Sequence, residues 1–346
     1  MGGLLSYSGL TTKIRAMNKN FITDAGFREI AELPNVPQVV GYLKHHPGYS
    51  NILGELDEEN LHRGQVEAIL TRSVMHDYAS LYRFSNGEQR NFLKMYSRRY
   101  EVKLLKKCMA NIFDHRDIAL DLSKEKAFFD RYSDLDVTRL AESTTIDELI
   151  ENLKGTGYYQ ALNRLVQKAE PTLFDYEVAL DLYRFTSIWK EKDKILKSKD
   201  LELITDAYGN KFDMLNLWWI CRAKKYFNMP TTDIYAMVIP VRYKLRKEEI
   251  AALVECENMD EFERILSRTY YGRVYENITP DTLEDMYVYV LKHVLLKESR
   301  QHPHTAATIY SYLYRKEHDI NRLTIAIECI RYGLTPDETM SYIIKT

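Results

Sequence analysis

The passage KFDMLNLWWIC, residues 211–221, has two counterparts in this chain: RYEVKLLKKCM at residues 99–109 and EHDINRLTIAI at residues 317–327. When the acid of each copy is aligned, the copies lie 112 and 106 residues apart. Each copy places a ring-bearing residue directly before the acid and a leucine four positions after it. The equivalent residues are Tyr100, Glu101 and Leu105, then Phe212, Asp213 and Leu217, and finally His318, Asp319 and Leu323.

A second element recurs upstream of each copy and ends in tyrosine. It reads LPNVPQVVGYLKHHPGY at residues 33–49, AESTTIDELIENLKGTGYY at residues 141–159 and VECENMDEFERILSRTYY at residues 254–271. Two elements in the same order at nearly the same spacing are typical of a chain built from copies of one module. The repeat predicts three modules with approximate boundaries at 1–125, 126–235 and 236–346.

The apolar residues follow a helical period along nearly the whole chain. Between residues 66 and 82, and again between 92 and 113, they recur at steps of three and four positions, which places them on one face of a helix. Alternation with a period of two over the length of a strand is essentially absent. We therefore predict an all-α fold, in which the N-terminal part could abut the C-terminal part and close a ring.

The overall composition excludes some classes of protein. The chain has 48 Lys and Arg against 50 Asp and Glu, and this balance lacks the basic surplus of a nucleic-acid-binding protein. Its longest apolar stretches, such as residues 288–296, are interrupted by charge and too short to span a bilayer. We therefore expect no nucleic-acid partner, and membrane contact only through partner subunits.

The sequence carries no recognisable catalytic motif. It has no GxxxxGK[ST] phosphate loop, no HExxH and no GxSxG, so we expect no direct ATP binding, no cofactor, no metal and no catalytic residue. The four cysteines form no CxxC pair and lie mostly within helical apolar patterns, which is typical of buried thiols. A chain made of repeated modules whose residues serve mainly for packing is more typical of a subunit of an assembly than of an enzyme.

The repeated acids stand at the edge of an apolar stripe and need hydrogen-bond donors there. Arg83 and Arg184 follow a shared Leu-Tyr motif upstream of the first two acids. They are our candidates for ion pairs with Glu101 and Asp213. We interpret such pairs as structural.

The ordered set of repeats resembles a known family, the C subunit of the bacterial and archaeal V-type (A-type) ATPase, whose eukaryotic counterpart is the d subunit of the vacuolar ATPase. The likeness runs from about residue 7 to residue 346. It rests on YEVKLL at 100–105, GNKFDMLNL at 209–217, the His-Pro pair at 302–303 and YLYRKEHDINRL at 312–323. The tyrosine before the first acid becomes Phe212 and His318 in the other copies, so its packing is shared but its hydroxyl is not.

The resemblance implies three similar helical domains in a funnel-like, pseudo-threefold arrangement, without catalytic residues. It also implies a central-stalk adaptor that joins the rotor shaft to the membrane proteolipid ring and couples ATP hydrolysis or synthesis to transport of H⁺ or Na⁺. The protein would lie on the cytoplasmic face, peripheral to the membrane. Two alternatives stay open: a helical scaffold for soluble partners, and an enzyme with an unrecognised acid–base pair between its helices.

Overall fold

The secondary structure is helical throughout the part of the chain that the structure, a computed structural model, describes. These residues are 2–53, 63–114, 120–168 and 170–345, and they contain no β-strand. The prediction of an all-α fold is confirmed.

Nineteen α-helices are described. In chain order they are α1 (Gly2–Asn18), α2 (Asp24–Ala31), α3 (Val36–His45), α4 (Ser50–Leu53), α5 (Arg63–Phe84), α6 (Gly87–Phe113), α7 (Ser123–Tyr132), α8 (Val137–Glu142), α9 (Ile146–Glu151), α10 (Gly157–Asn163), α11 (Leu173–Ile195), α12 (Ser198–Phe227), α13 (Thr231–Met237), α14 (Lys247–Glu255), α15 (Met259–Arg268), α16 (Tyr270–Val274), α17 (Leu283–Gln301), α18 (Ala306–Arg331) and α19 (Pro336–Lys345). A 3-10 turn, Leu165–Gln167, follows α10.

Groups of short helices alternate with pairs of long ones. The pairs are α5 with α6, α11 with α12 and α17 with α18, and the second helix of each pair is the longer. Side-chain caps begin several of the short helices, because the first backbone N–H groups of a helix have no partner within it. Thr23 accepts a hydrogen bond from the backbone N–H of Gly26 at 3.0 Å, and Asn258 accepts one from Glu261 at 2.9 Å.

The chain divides into two compact units. The first comprises residues 1–89 and 292–346, and the second comprises residues 90–291. In the first unit, helices from the two ends of the chain pack together: α18 contacts α1, α2, α3, α5 and α19. The three-module boundaries given above stay a prediction.

In the second unit, α12 is buried along its middle. Every residue from 207 to 217 is buried, including the polar residues Asn210, Asp213 and Asn216. This helix packs against α11 and against the short helices α13, α14 and α15. A helix that is surrounded in this way must find an internal partner for each polar side chain that it carries.

None of the helices described is long and apolar enough to cross a membrane.

Candidate functional site: buried carboxylate–tyrosine pairs

The three repeated acids lie on the second, longer helix of each pair. Glu101 is on α6, Asp213 on α12 and Asp319 on α18. Asp213 is 0% exposed and Asp319 is 4% exposed, whereas Glu101 is half-buried. The leucines four positions later, Leu105, Leu217 and Leu323, are all fully buried. Of the preceding rings, Tyr100 and Phe212 are buried and His318 is half-buried.

Each acid accepts a hydrogen bond from a tyrosine in the second repeated element. The hydroxyl of Tyr158 donates to Glu101 Oε2 at 2.6 Å, and the hydroxyl of Tyr49 donates to Asp319 Oδ2 at 2.8 Å. The hydroxyl of Tyr271 lies 3.2 Å from Asp213 Oδ2. Sequence reasoning found both repeated elements but did not join them. The signal was present, because a tyrosine recurs at the end of each short-helix element.

Asp319 belongs to a buried polar network in the first unit. Lys316, one helical turn earlier on α18, is 2% exposed and lies over the ring of Tyr49, 4.1 Å from its centroid. Its ammonium is 3.6 Å from Asp77 Oδ2, and that same oxygen accepts a hydrogen bond from the Tyr312 hydroxyl at 2.7 Å. The network therefore ties α18 to α5 and to the segment that precedes α4.

The network contains two carboxylates whose pKa values shift in opposite directions. Burial raises the pKa of Asp319, although the hydrogen bond from Tyr49 and the charge of Lys316 oppose this shift. Burial also acts to raise the pKa of Asp77, but its contacts with His76, Lys316 and Tyr312 outweigh burial and hold the pKa below its usual value. Asp77 is thus the ionised partner of the buried lysine.

Glu101 is held by two hydroxyl groups. Besides Tyr158, Ser133 donates to Glu101 Oε1 at 2.5 Å. Ser133 directly follows α7, so the carboxylate binds a chain segment between two short helices as well as the start of α10. The ring of Tyr158 also packs edge-on against Tyr183 of α11, with centroids 4.8 Å apart.

Asp213 holds the segment that precedes α14. Its carboxylate accepts the backbone N–H groups of Tyr243 at 3.3 Å, Lys244 at 2.6 Å and Leu245 at 3.0 Å. Burial raises the pKa of Asp213 to about 6, while these three N–H groups and the Tyr271 hydroxyl act in the opposite direction. Burial outweighs these hydrogen bonds because the side chain is completely removed from water.

Two further residues of α12 bind the same segment. Asn216, one turn after Asp213, donates to the carbonyl of Ile239 at 3.1 Å and accepts the N–H of Ile239 at 2.8 Å. Gly209, one turn before Asp213, lies under the ring of Tyr243, where a Cβ atom would come within 2.3 Å of the ring. One face of α12 is thus shaped to hold residues 239–245, and we call this segment the strap.

The predicted arginine pairs need correction. Arg184 pairs with Asp181, three residues earlier on α11, at 3.1 Å, and its guanidinium stacks on Phe185. It does not pair with Asp213, whose oxygens are occupied by backbone N–H groups. Arg83 is exposed and donates to Ser80 at 3.4 Å, while Glu101 is bound by hydroxyl groups. The spacing of the repeated motifs gave no information on which helix faces meet.

These clusters offer little to a chemical reaction. Asp213 has no exposed surface through which a substrate could approach, and its hydrogen-bonding capacity is largely filled. The four cysteines are buried, and burial raises the pKa of Cys108 and Cys221 to about 11, so neither thiol ionises near neutral pH. Across the described ranges no group of His, Cys, Asp and Glu has the arrangement of a metal site. The arrangement therefore supports packing of helices.

Comparison with known proteins gives a match along most of the chain. The family model described as ATP synthase (C/AC39) subunit matches residues 10–342. The C subunit of the A-type ATP synthase of Methanosarcina mazei is 24% identical over 344 residues, which cover 97% of this chain and 92% of that relative.

Proteins of the same name from two other archaea agree. That of Methanocaldococcus jannaschii is 22% identical, with 99% of this chain and 87% of the relative covered. That of Pyrococcus abyssi is 25% identical, with 96% and 88% covered. The similarity thus extends along nearly the full length of both partners.

Proposed function

This chain belongs to the ATP synthase (C/AC39) subunit family, and from that membership we propose that it is the central-stalk adaptor of a V/A-type rotary ATPase. As a member of this family it is a structural subunit of the ATPase and not a catalytic one. In the proposed role it links the rotor shaft to the membrane proteolipid ring and couples ATP hydrolysis or synthesis to transport of H⁺ or Na⁺. The observation that carries the proposal is the match over residues 10–342.

The physics of the fold supports a mechanical role. An adaptor that passes torque between two partners must resist deformation, and close-packed interiors transmit strain well. In the second unit, the carboxylates of Glu101 and Asp213 fasten short helices and connecting segments to long helices. In the first unit, Asp319 does the same through Tyr49. Buried hydrogen bonds of this kind favour one fixed packing.

The proposed partners follow from the role. They are the central shaft subunits on one side and the proteolipid ring on the other, with the protein peripheral to the cytoplasmic face of the membrane. In this proposal the three modules form a funnel that receives the end of the shaft. Neither nucleic acid nor ATP binds the chain directly.

A pull-down from native membranes tests the partners. The chain, carrying an affinity tag, would be expressed in its own host and recovered from detergent-solubilised membranes, with the bound proteins identified by mass. We expect shaft and proteolipid subunits in stoichiometric amounts. Recovery of soluble proteins alone would favour the scaffold alternative, and would overturn the proposal.

Coupling is tested in membrane vesicles from a strain that lacks the gene. We expect ATP-driven ion uptake to be lost, with ATP hydrolysis retained in the detached soluble part of the enzyme, and re-expression of the chain should restore uptake. Normal ion uptake in the deletion strain would contradict the adaptor role.

A further inference from the structure

The first unit contains a large polar cleft. Its volume is about 880 Å³, and it is lined by α1, by the segment between α1 and α2, by the second half of α17 and by α18. Pockets for small molecules have volumes of roughly 300–1,000 Å³. The cleft is therefore large enough for a ligand of ordinary metabolite size.

The cleft is strongly basic. The chain as a whole is balanced, with 48 basic and 50 acidic residues, but the acids that line the cleft are only Asp24 and Asp319. The cations that line it are Arg15, Lys19, Lys292, Arg300, Arg315 and Arg322.

Both acids have partners of their own. Asp24 pairs with Arg322 at 2.8 Å, and Asp319 accepts the hydroxyl of Tyr49 at 2.8 Å. Four of the cations form no ion pair with any residue described in the structure; these are Arg15, Lys19, Lys292 and Arg300. Most of the positive charge of the cleft is thus uncompensated.

Arg315 stands in the wall of the cleft and is held in place. Its Nη1 donates to Asn18 Oδ1 at 3.2 Å, and its guanidinium lies over the ring of Phe21, 4.5 Å from the centroid. Burial lowers the pKa of Arg315; the charge of Asp319 and the Tyr312 side chain oppose this shift, and the like charge of Arg300, which lines the same cleft, adds to it. An anion bound in the cleft would be attracted by both guanidinium groups.

We propose that this cleft binds a small anion that carries phosphate groups. Arginine guanidinium groups bind phosphate oxygens through pairs of parallel hydrogen bonds, and lysines add charge without fixed direction. Several cations around one cleft match the charge density of a di- or polyphosphate better than that of a single carboxylate. The site recognises the phosphate groups, and the inference stands independently of the rotary role.

The test is calorimetry on the full-length protein with inorganic tripolyphosphate as the probe. We expect saturable binding that weakens as salt is added, since salt screens the attraction between exposed charges. Arg300→Ala should weaken it about tenfold or more, because a charge-assisted hydrogen bond is lost. Arg300 is exposed, so its removal should leave the thermal unfolding of the protein unchanged.

Lys297→Ala is the matched control. Lys297 lies on α17 three residues before Arg300 and is also exposed, but it does not line the cleft. Its removal changes the net charge by the same amount and should leave the affinity within about twofold of wild type. Equal weakening in both variants would mean non-specific attraction and would overturn the proposal, as would the absence of any binding heat.

Two further probes identify the source of the phosphate. Flotation with vesicles containing phosphatidic acid, lost in Arg300→Ala, would assign the phosphate to a lipid headgroup. Binding of tripolyphosphate without flotation would assign it to a soluble anion. Binding of poly-glutamate without binding of tripolyphosphate would make the cleft a site for acidic protein segments and would overturn the proposal.

Discussion

Asp213 shows how a single buried carboxylate can organise a connecting segment. It lies on α12 and receives three backbone N–H groups of the strap. A backbone N–H group that is buried without an acceptor destabilises the folded state by about 1–3 kcal/mol. Asp213 therefore stabilises the fold mainly by accepting hydrogen bonds from N–H groups that would otherwise have no partner. Its role is therefore structural, whatever the partners of the whole protein are.

We predict that Asp213→Ala lowers the free energy of unfolding by about 3 kcal/mol, because the buried N–H group of Leu245 and the part-buried N–H groups of Tyr243 and Lys244 lose their acceptor. Denaturant unfolding followed by circular dichroism measures the change. Glu263→Ala is the control, since Glu263 is an exposed acid on α15, and we expect a change within about 0.5 kcal/mol. The folded fraction of the Asp213→Ala variant should bind its partners as wild type does. A variant that unfolds like wild type but has lost its partners would make Asp213 an interface residue.

The stability contribution of Asp213 should also depend on pH. Burial raises its pKa from 3.8 to about 6, so between these values the folded protein holds a proton that the unfolded chain has released. This contribution favours folding in acid and is lost as the pH rises through about 6.

Asp213→Asn removes the titrating group and isolates this effect. The stability advantage of wild type over the variant should shrink by about 2.4 kcal/mol between about pH 4 and pH 7, since one pKa unit corresponds to about 1.4 kcal/mol and the unfolded chain is already partly ionised at pH 4. Urea unfolding of both proteins across this range is the measurement. A difference that stays constant with pH would show that Asp213 titrates near its ordinary value in the folded protein.

The strap packs closely against α12 because α12 carries a glycine, Gly209, where the aromatic ring of Tyr243 crosses it. We predict that Gly209→Ala destabilises the protein by about 1–3 kcal/mol, as overpacking does elsewhere, because the new methyl group would overlap that ring. Thermal unfolding provides the measurement.

Gly9→Ala is the matched change in the middle of another helix, α1, where nothing lies within 4 Å of the added carbon. There alanine should stabilise the protein by about 0.5–1 kcal/mol, since glycine is the poorer helix former. If both variants lost stability equally, the close approach at Gly209 would not be the cause.

The sequence predicted which segments form helices better than it predicted which helices contact each other. The period of apolar residues predicted helices, and the structure confirms that Glu101, Asp213 and Asp319 all lie on long helices. The partners were missed for a physical reason. Tyr49 lies 270 residues before Asp319, and the donors to Asp213 are backbone groups, which leave no mark in the sequence. Arginine was a reasonable donor to expect, but hydroxyl and backbone groups fill that role here.

The first unit is assembled from both ends of the chain. We predict that Asp319→Ala speeds hydrogen exchange in residues 24–53, because Tyr49 loses its acceptor on α18. Residues 90–291 should exchange as in wild type. Asp213→Ala is the converse control. In this variant we expect faster hydrogen exchange in residues 239–274 and unchanged exchange in residues 24–53. Exchange that rises everywhere in both variants would mean that the two units unfold together.

The pairing of the first 89 residues with residues 292–346 has a consequence for biosynthesis. The leading helices leave the ribosome long before α18 exists, and at about 5–20 residues per second the intervening 200 or so residues take roughly 10–40 s to translate. During that interval the apolar faces of α2, α3 and α5 have no α18 to cover them, whereas residues 90–291 have all of their own partners as soon as residue 291 has been made. We therefore expect the second unit to complete its fold before the first, whose leading helices stay uncovered for longest.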